Sequence, residues 1–173
     1  MGTSGMFLKK VSCFNPKRTL KDIKEILNSL NFVYCIDSVS SNENSYHLGI
    51  NDPVCNSDFC MYIFDNPKIE YLEDDNFSWI SPKLYTAILI EDISENEKSV
   101  LKILYEYFKL YPDEYFYTEE EWFYDKNDIE RIYFENPYDN KWCYNNPKEK
   151  KFSQIKCVMQ IVDLDASIMD ISI

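Results

Sequence analysis

A chain of 173 residues, 45% hydrophobic and 28% charged, has the length and balance of one folded domain, and general disorder is excluded. Its three glycines leave no glycine-rich phosphate loop, so nucleotide-binding motifs of that kind are excluded. A formal charge of −12 opposes nucleic acid, which binds through lysine and arginine, and opposes anionic membranes; it favours basic partners.

The first five residues, Met1-Gly-Thr-Ser-Gly5, read as an expression remnant, so the domain is expected to span residues 6–173. Residues 6–14 read as a short strand that Pro16 ends. Thr19 is placed to cap a helix in which Leu20, Ile23, Ile26, Leu27 and Leu30 recur at helical spacing, up to about Asn31. The apolar run 32–36 predicts a strand, and the polar stretch 38–45 a turn. Tyr46, Leu48 and Ile50 alternate with polar positions, which predicts a half-buried strand. Residues 59–64 predict another, and 65–81 a loop with acids clustered at Glu70, Glu73, Asp74 and Asp75.

The nearly continuous apolar run 85–90 predicts a central strand covered on both faces. Ser94 and Glu97 have the spacing of a capping box for a helix carrying Val100, Leu101, Leu104, Tyr105 and Phe108, with Pro112 as its stop. Thr118 and Glu121 have the same spacing before Trp122, Phe123, Ile129, Ile132 and Tyr133, predicting a third helix that breaks near Asp125. Residues 136–151 predict a long polar loop; Ile155, Cys157, Met159 and Ile161 alternate as a late strand. The fold class expected is α+β: a single domain, with a mostly antiparallel sheet and two to four helices packed on it.

Six cysteines without a C-x-x-C pair, and no secretory leader, predict free thiols in a reducing cytoplasm, several of them as small core residues. The single histidine, His47, excludes a multi-histidine zinc site, and its strand phase turns it away from the expected core. No metal and no cofactor is expected. Carboxylates are too abundant for any pair to single out a hydrolase site.

Residues 105–139 differ in kind. Eleven acids stand there against Lys109, Lys126 and Arg131, a balance of −8 within the chain's −12, and ten of the tyrosine, phenylalanine and tryptophan rings from Tyr111 to Tyr138 are interleaved with them. Rings beside carboxylates can anchor a partner while the charge steers it. The competing account is that the rings are core and the acids are wet helix faces. Read as a surface, the partner-binding candidates are Glu114, Tyr117, Glu120, Trp122, Tyr124, Asp125 and Asp128, with Glu73, Asp74 and Asp75 as a second cluster.

The passage Leu101-Lys-Ile-Leu-Tyr-Glu-Tyr-Phe-Lys-Leu-Tyr-Pro-Asp-Glu-Tyr-Phe116, continuing through Glu120-Glu-Trp-Phe-Tyr-Asp-Lys-Asn-Asp-Ile-Glu130, resembles the immunity proteins encoded beside bacterial polymorphic or contact-dependent toxins. The likeness lies in a helix, a Pro-Asp step, aromatics and a Glu-Trp-Phe pattern, over about a quarter of the chain. It carries no catalytic signature. It implies a non-enzymatic cytoplasmic inhibitor whose partner is a cognate toxin domain, commonly a nuclease. Alternatives are an acidic interaction or regulatory module unrelated to toxins, and a carboxylate-based hydrolase.

Overall fold

Alternating apolar residues need a second layer to cover them, and among the described residues one sheet and three helices supply it. A computed structural model describes residues 2–37, 45–65, 84–135 and 141–147. The elements in chain order are β1 (Gly5–Lys10), α1 (Pro16–Ser29), β2 (Val33–Asp37), β3 (Ser45–Asp52), β4 (Ser57–Phe64), β5 (Leu84–Ile90), α2 (Glu97–Leu110), β6 (Tyr115–Thr118), β7 (Phe123–Tyr124) and α3 (Lys126–Glu135). The strands form one sheet in the order β2-β3-β4-β5-β1-β6-β7, and every neighbouring pair is antiparallel. The protein is thus α+β, as its sequence predicts, and β5 is the middle strand. The expected strand around 155–161 and the acids at Glu70, Glu73, Asp74 and Asp75 lie outside the described residues.

The main core lies between the helices and one face of the sheet. Phe7, Leu48, Ile50, Met61, Ile63, Ile88 and Ile90 from the strands meet Ile23 and Leu27 of α1, Val100, Leu104, Tyr107 and Phe108 of α2, and Ile129 of α3. Strand alternation sends a second set to the other face, where Leu8, Leu84, Tyr117 and Phe123 form a small cluster. Each fully buried side chain of this size is worth roughly 1.5–3 kcal/mol over its exposed state.

Helix boundaries depart from expectation in instructive ways. Asn15, not Thr19, caps α1: its carboxamide oxygen accepts the Arg18 amide at 3.1 Å, and Pro16 follows in the first turn. At the other end Asn31 takes a left-handed φ of 58°, the Asn31 amide reaches the Asn28 carbonyl at 3.1 Å, and the Phe32 amide the Leu27 carbonyl at 2.9 Å. This is a Schellman closure with asparagine in glycine's place. Ser94 does not cap α2. Its hydroxyl accepts the Thr3 amide, while Glu97 is buried and accepts the Cys143 thiol at 3.0 Å. Residues Ile93–Glu95 instead form a 3-10 turn ahead of the helix, with Ile93 buried. Gly5, read from the sequence as part of a leader, opens β1, and the Thr3 carbonyl accepts the Ile93 amide at 2.7 Å.

A buried carboxylate ties α2 to the end of β3. Asp52 accepts Ser99 Oγ and Lys102 Nζ, both at 2.8 Å, and its other oxygen accepts the Val54 and Cys55 amides at 3.0 and 3.3 Å. Burial pushes its carboxyl up, but the hydrogen bonds from Lys102, Ser99 and Cys55 outweigh burial and bring it down to about 2. Folded Asp52 therefore holds its proton less tightly than the unfolded chain does. Its contribution is full above the unfolded value of 3.8 and is lost as pH falls through about 2. A difference of this size corresponds to about 2 kcal/mol. Asp52→Asn is expected to lose about that much at neutral pH, and to flatten the fall in stability between pH 4 and 2. Urea midpoints measured across that range check both.

Candidate functional site

Trp122, Phe123 and Tyr124 do not enter a helix, because β-favouring rings alternate on both sides of a tight turn. Phe116 pairs with Tyr124 and Tyr117 with Phe123, so 115–124 is a hairpin. The Glu121 amide donates to the Thr118 carbonyl at 2.9 Å and the Thr118 amide to the Trp122 carbonyl at 3.1 Å. Glu121 itself sits at φ 63°, the left-handed residue that a three-residue hairpin loop requires. The supposed capping box is thus a turn, and α3 starts later. There Asp125 and Asp128 cap it reciprocally: the Asp128 amide donates to Asp125 Oδ1 at 2.9 Å and the Asp125 amide to Asp128 Oδ2 at 3.2 Å.

This folding separates the predicted partner-binding residues. Tyr117, Tyr124 and Asp128 are buried, so as placed they present nothing to a partner. Tyr117 belongs to the small cluster on the far face of the sheet. Tyr124 faces the main core, its hydroxyl 2.8 Å from the carbonyl oxygens of both Trp142 and Asn145, between which its one proton is shared. Trp122 packs half-buried against the core, and Asp125 is half-buried at the start of α3. Glu120 is exposed and flanked by the exposed Glu119 and Glu121. None of these three forms an ion pair with a described residue; Glu119 accepts the Ser4 amide at 2.9 Å. Other acids of the stretch are engaged: Glu106 with Lys109 at 2.7 Å, and Glu130 with Lys126 at 3.6 Å.

Glu114 has a different place. Strand alternation puts Phe7 and Lys9 on the helix-covered face, and Lys9 ends up beneath the first turns of α1. Its side chain is 3% exposed, with the ammonium 3.5 Å from Glu114 Oε1, 3.4 Å from Thr19 Oγ1 and 3.6 Å from the centre of the Tyr111 ring. Glu114 also accepts the Tyr107 hydroxyl at 2.7 Å, and the Tyr111 hydroxyl donates to Asp22. Burial pushes the Lys9 ammonium down against the upward pull of Glu114, and pushes the Glu114 carboxyl up against Lys9 and Tyr107. Lys9 and Glu114 line a cleft of about 330 Å3 together with Cys13, Asn15 and Arg18. The three ammonium protons have an oxygen, an oxygen and a ring to face, so the cluster is chemically closed and acts as a clamp between β1, α1 and the end of α2. Nothing in the spacing of Lys9 and Glu114 marks them as partners.

Two other expectations meet the structure here. His47 lies half-buried on the face turned away from the main core, stacked on Tyr62 with ring centres 4.7 Å apart and Nδ1 3.4 Å from Asp37. Among the described cysteines, all free, Cys143 alone is buried, Cys55 and Cys60 are half-buried, and Cys13 and Cys35 are exposed, so fewer of them are core residues than expected. Among the described residues no group of three or more histidine, cysteine or acidic side chains is arranged to hold a metal.

Removing one member of a buried pair strands the other, whereas neutralising both relieves it. Glu114→Gln is expected to cost about 3 kcal/mol, and the double change Lys9→Met with Glu114→Gln to cost less than the single one. Urea denaturation of both variants decides this; a double variant weaker than the single would contradict the clamp.

No protein-family model, curated protein or solved structure matches this chain.

Proposed function

We propose that the protein is a non-catalytic binding protein that captures a basic partner, in the manner of an immunity protein neutralising a cognate toxin domain. What carries the reading is the β6–β7 turn: three consecutive exposed carboxylates, Glu119, Glu120 and Glu121, without a cationic partner among the described residues. The turn is held in place by buried rings on either side, Phe116, Tyr117, Phe123 and Tyr124. A rigid acidic projection presents its charge without an ordering cost on binding. The chain's −12 charge adds long-range attraction for a cationic surface. A nuclease domain is such a surface, because its active site must hold phosphate. Masking that site with carboxylates would block substrate by sterics and charge together. Asp113, exposed beside the hairpin in sequence, extends the same acidic character. The resemblance of residues 101–130 to immunity proteins points the same way, and no helix among the described residues is long and apolar enough to cross a membrane.

The natural test partner is the product of the gene immediately upstream. The pair is expected to form an equimolar complex whose association slows as salt rises. Replacing Glu119, Glu120 and Glu121 together by glutamine should slow association by roughly tenfold at low ionic strength and weaken its salt dependence. Stopped-flow binding of the two purified proteins measures this. An unchanged rate would remove the hairpin from the interface, and no complex at all would remove the toxin reading.

A further inference from the structure

The opposite end of the sheet carries a second feature, on the face turned away from the helices. There β2, β3 and β4 bear a groove of about 440 Å3. Its floor is set by register: Cys35, Gly49 and Cys60 stand in one row across the three strands, so the middle position has no side chain. A Cβ at residue 49 would lie 3.0 Å from the Cys35 sulfur, so glycine is what leaves room there for the Cys35 thiol, which donates to the Gly49 carbonyl at 3.8 Å. Val33, 63% exposed, forms part of the wall together with the two thiols. Burial is the main cause that pushes the Cys60 thiol up, with Glu91 and Asp92 adding to it, so Cys60 lines the groove as a neutral group.

Among the described residues, the charged ones lining this groove are Asp58 and Asp92, both exposed, and no lysine or arginine lines it. Asp58 gives one oxygen to Asn51 Nδ2 at 2.8 Å. Neither aspartate has a cationic partner among the described residues. Asp37, on the same face, is also largely exposed. A trough with an apolar floor and an anionic rim matches a side chain that is aliphatic along its stem and cationic at its tip. Arginine fits better than lysine, because its guanidinium is weakly hydrated and its planar fork pairs with carboxylates. β2 is moreover an edge strand that carries neither lysine nor proline to discourage pairing, so an extended segment can lie beside it.

We propose that this groove is a docking pocket for an arginine side chain on an extended segment of a partner protein. The stem lies over Gly49 between Cys35 and Cys60, and the guanidinium meets Asp58 and Asp92. The inference rests on the reading of a basic protein partner but uses a different part of the sheet from the acidic hairpin.

The test is an amide NMR titration of the whole chain with the blocked peptide acetyl-Val-Arg-Val-amide, and with the same peptide carrying norleucine in place of arginine. With three glycines in the chain, the Gly49 resonance is easily followed. Saturable shifts at Gly49, Cys35 and Cys60 are expected with the arginine peptide. Asp58→Asn with Asp92→Asn should raise the midpoint roughly tenfold, about 1.4 kcal/mol. Gly49→Ala, filling the floor, should also weaken binding while retaining the dispersed spectrum of a folded chain. Replacing Glu119, Glu120 and Glu121 by glutamine should leave the titration unchanged, so failure of the hairpin reading is seen separately. Equal shifts with the norleucine peptide, an unaltered midpoint in the aspartate variant, or no shift at Gly49 would each overturn the pocket.

Discussion

Tyr107 is where the structure is tied together. Its ring centre lies 3.9 Å from that of Phe7, so it packs α2 onto β1, the strand beside the middle of the sheet. Its hydroxyl reaches past the core to Glu114, which in turn holds Lys9. Burial raises the tyrosine far above its ordinary range, so it stays a neutral donor. The hydrophobic payload and the one polar handle of a single side chain thus join apolar packing to the buried ion pair. Lys9 extends the tie to Thr19, and Tyr111 to Asp22, so α1 is fastened through the same network. Such a network has value only when all its members are satisfied.

This tie changes the meaning of the chain's acidity. Carboxylates that look alike in sequence perform three different tasks. Asp52 and Glu114 are internal counter-ions to Lys102 and Lys9. Asp125 and Asp128 satisfy free amides at the start of α3. Glu119, Glu120 and Glu121 remain on the surface, where their charge has nothing internal to neutralise and is free to act at a distance. The same division holds for the rings: those at 116, 117, 123 and 124 are buried and serve as a base for the turn. Among the described residues of this stretch, the rings at 116, 117, 123 and 124 are core and the acids at 119, 120 and 121 are exposed.

The fold class and most elements were legible because they are written in local periodicity. Leu48 and Ile50 in β3, the run that became β5, and Val100, Leu101, Leu104 and Phe108 in α2 all fell where their spacing placed them. Failures came where two local rules compete. Ser94 and Thr118 have capping-box spacing, yet one meets the Thr3 amide and the other begins a hairpin turn. The docking of Trp142 also escaped, because a lone Trp-Cys pair in a polar segment has no period; its indole donates to the Glu97 carbonyl at 3.1 Å.

By itself the sequence determined the amounts: the excess of negative charge, the abundance of rings, the scarcity of glycine, and the alternation that makes an antiparallel sheet with helices on it. These are properties of composition and of near neighbours, which a linear chain displays directly. Only the tertiary structure decided which carboxylates are spent inside and which face outward. Lys9 and Glu114 are 105 positions apart, and Asp52 and Lys102 are 50 apart. The row Cys35–Gly49–Cys60 likewise exists only once three strands are in register. Charge acts through space rather than along the chain, so its partners are fixed by folding and not by spacing.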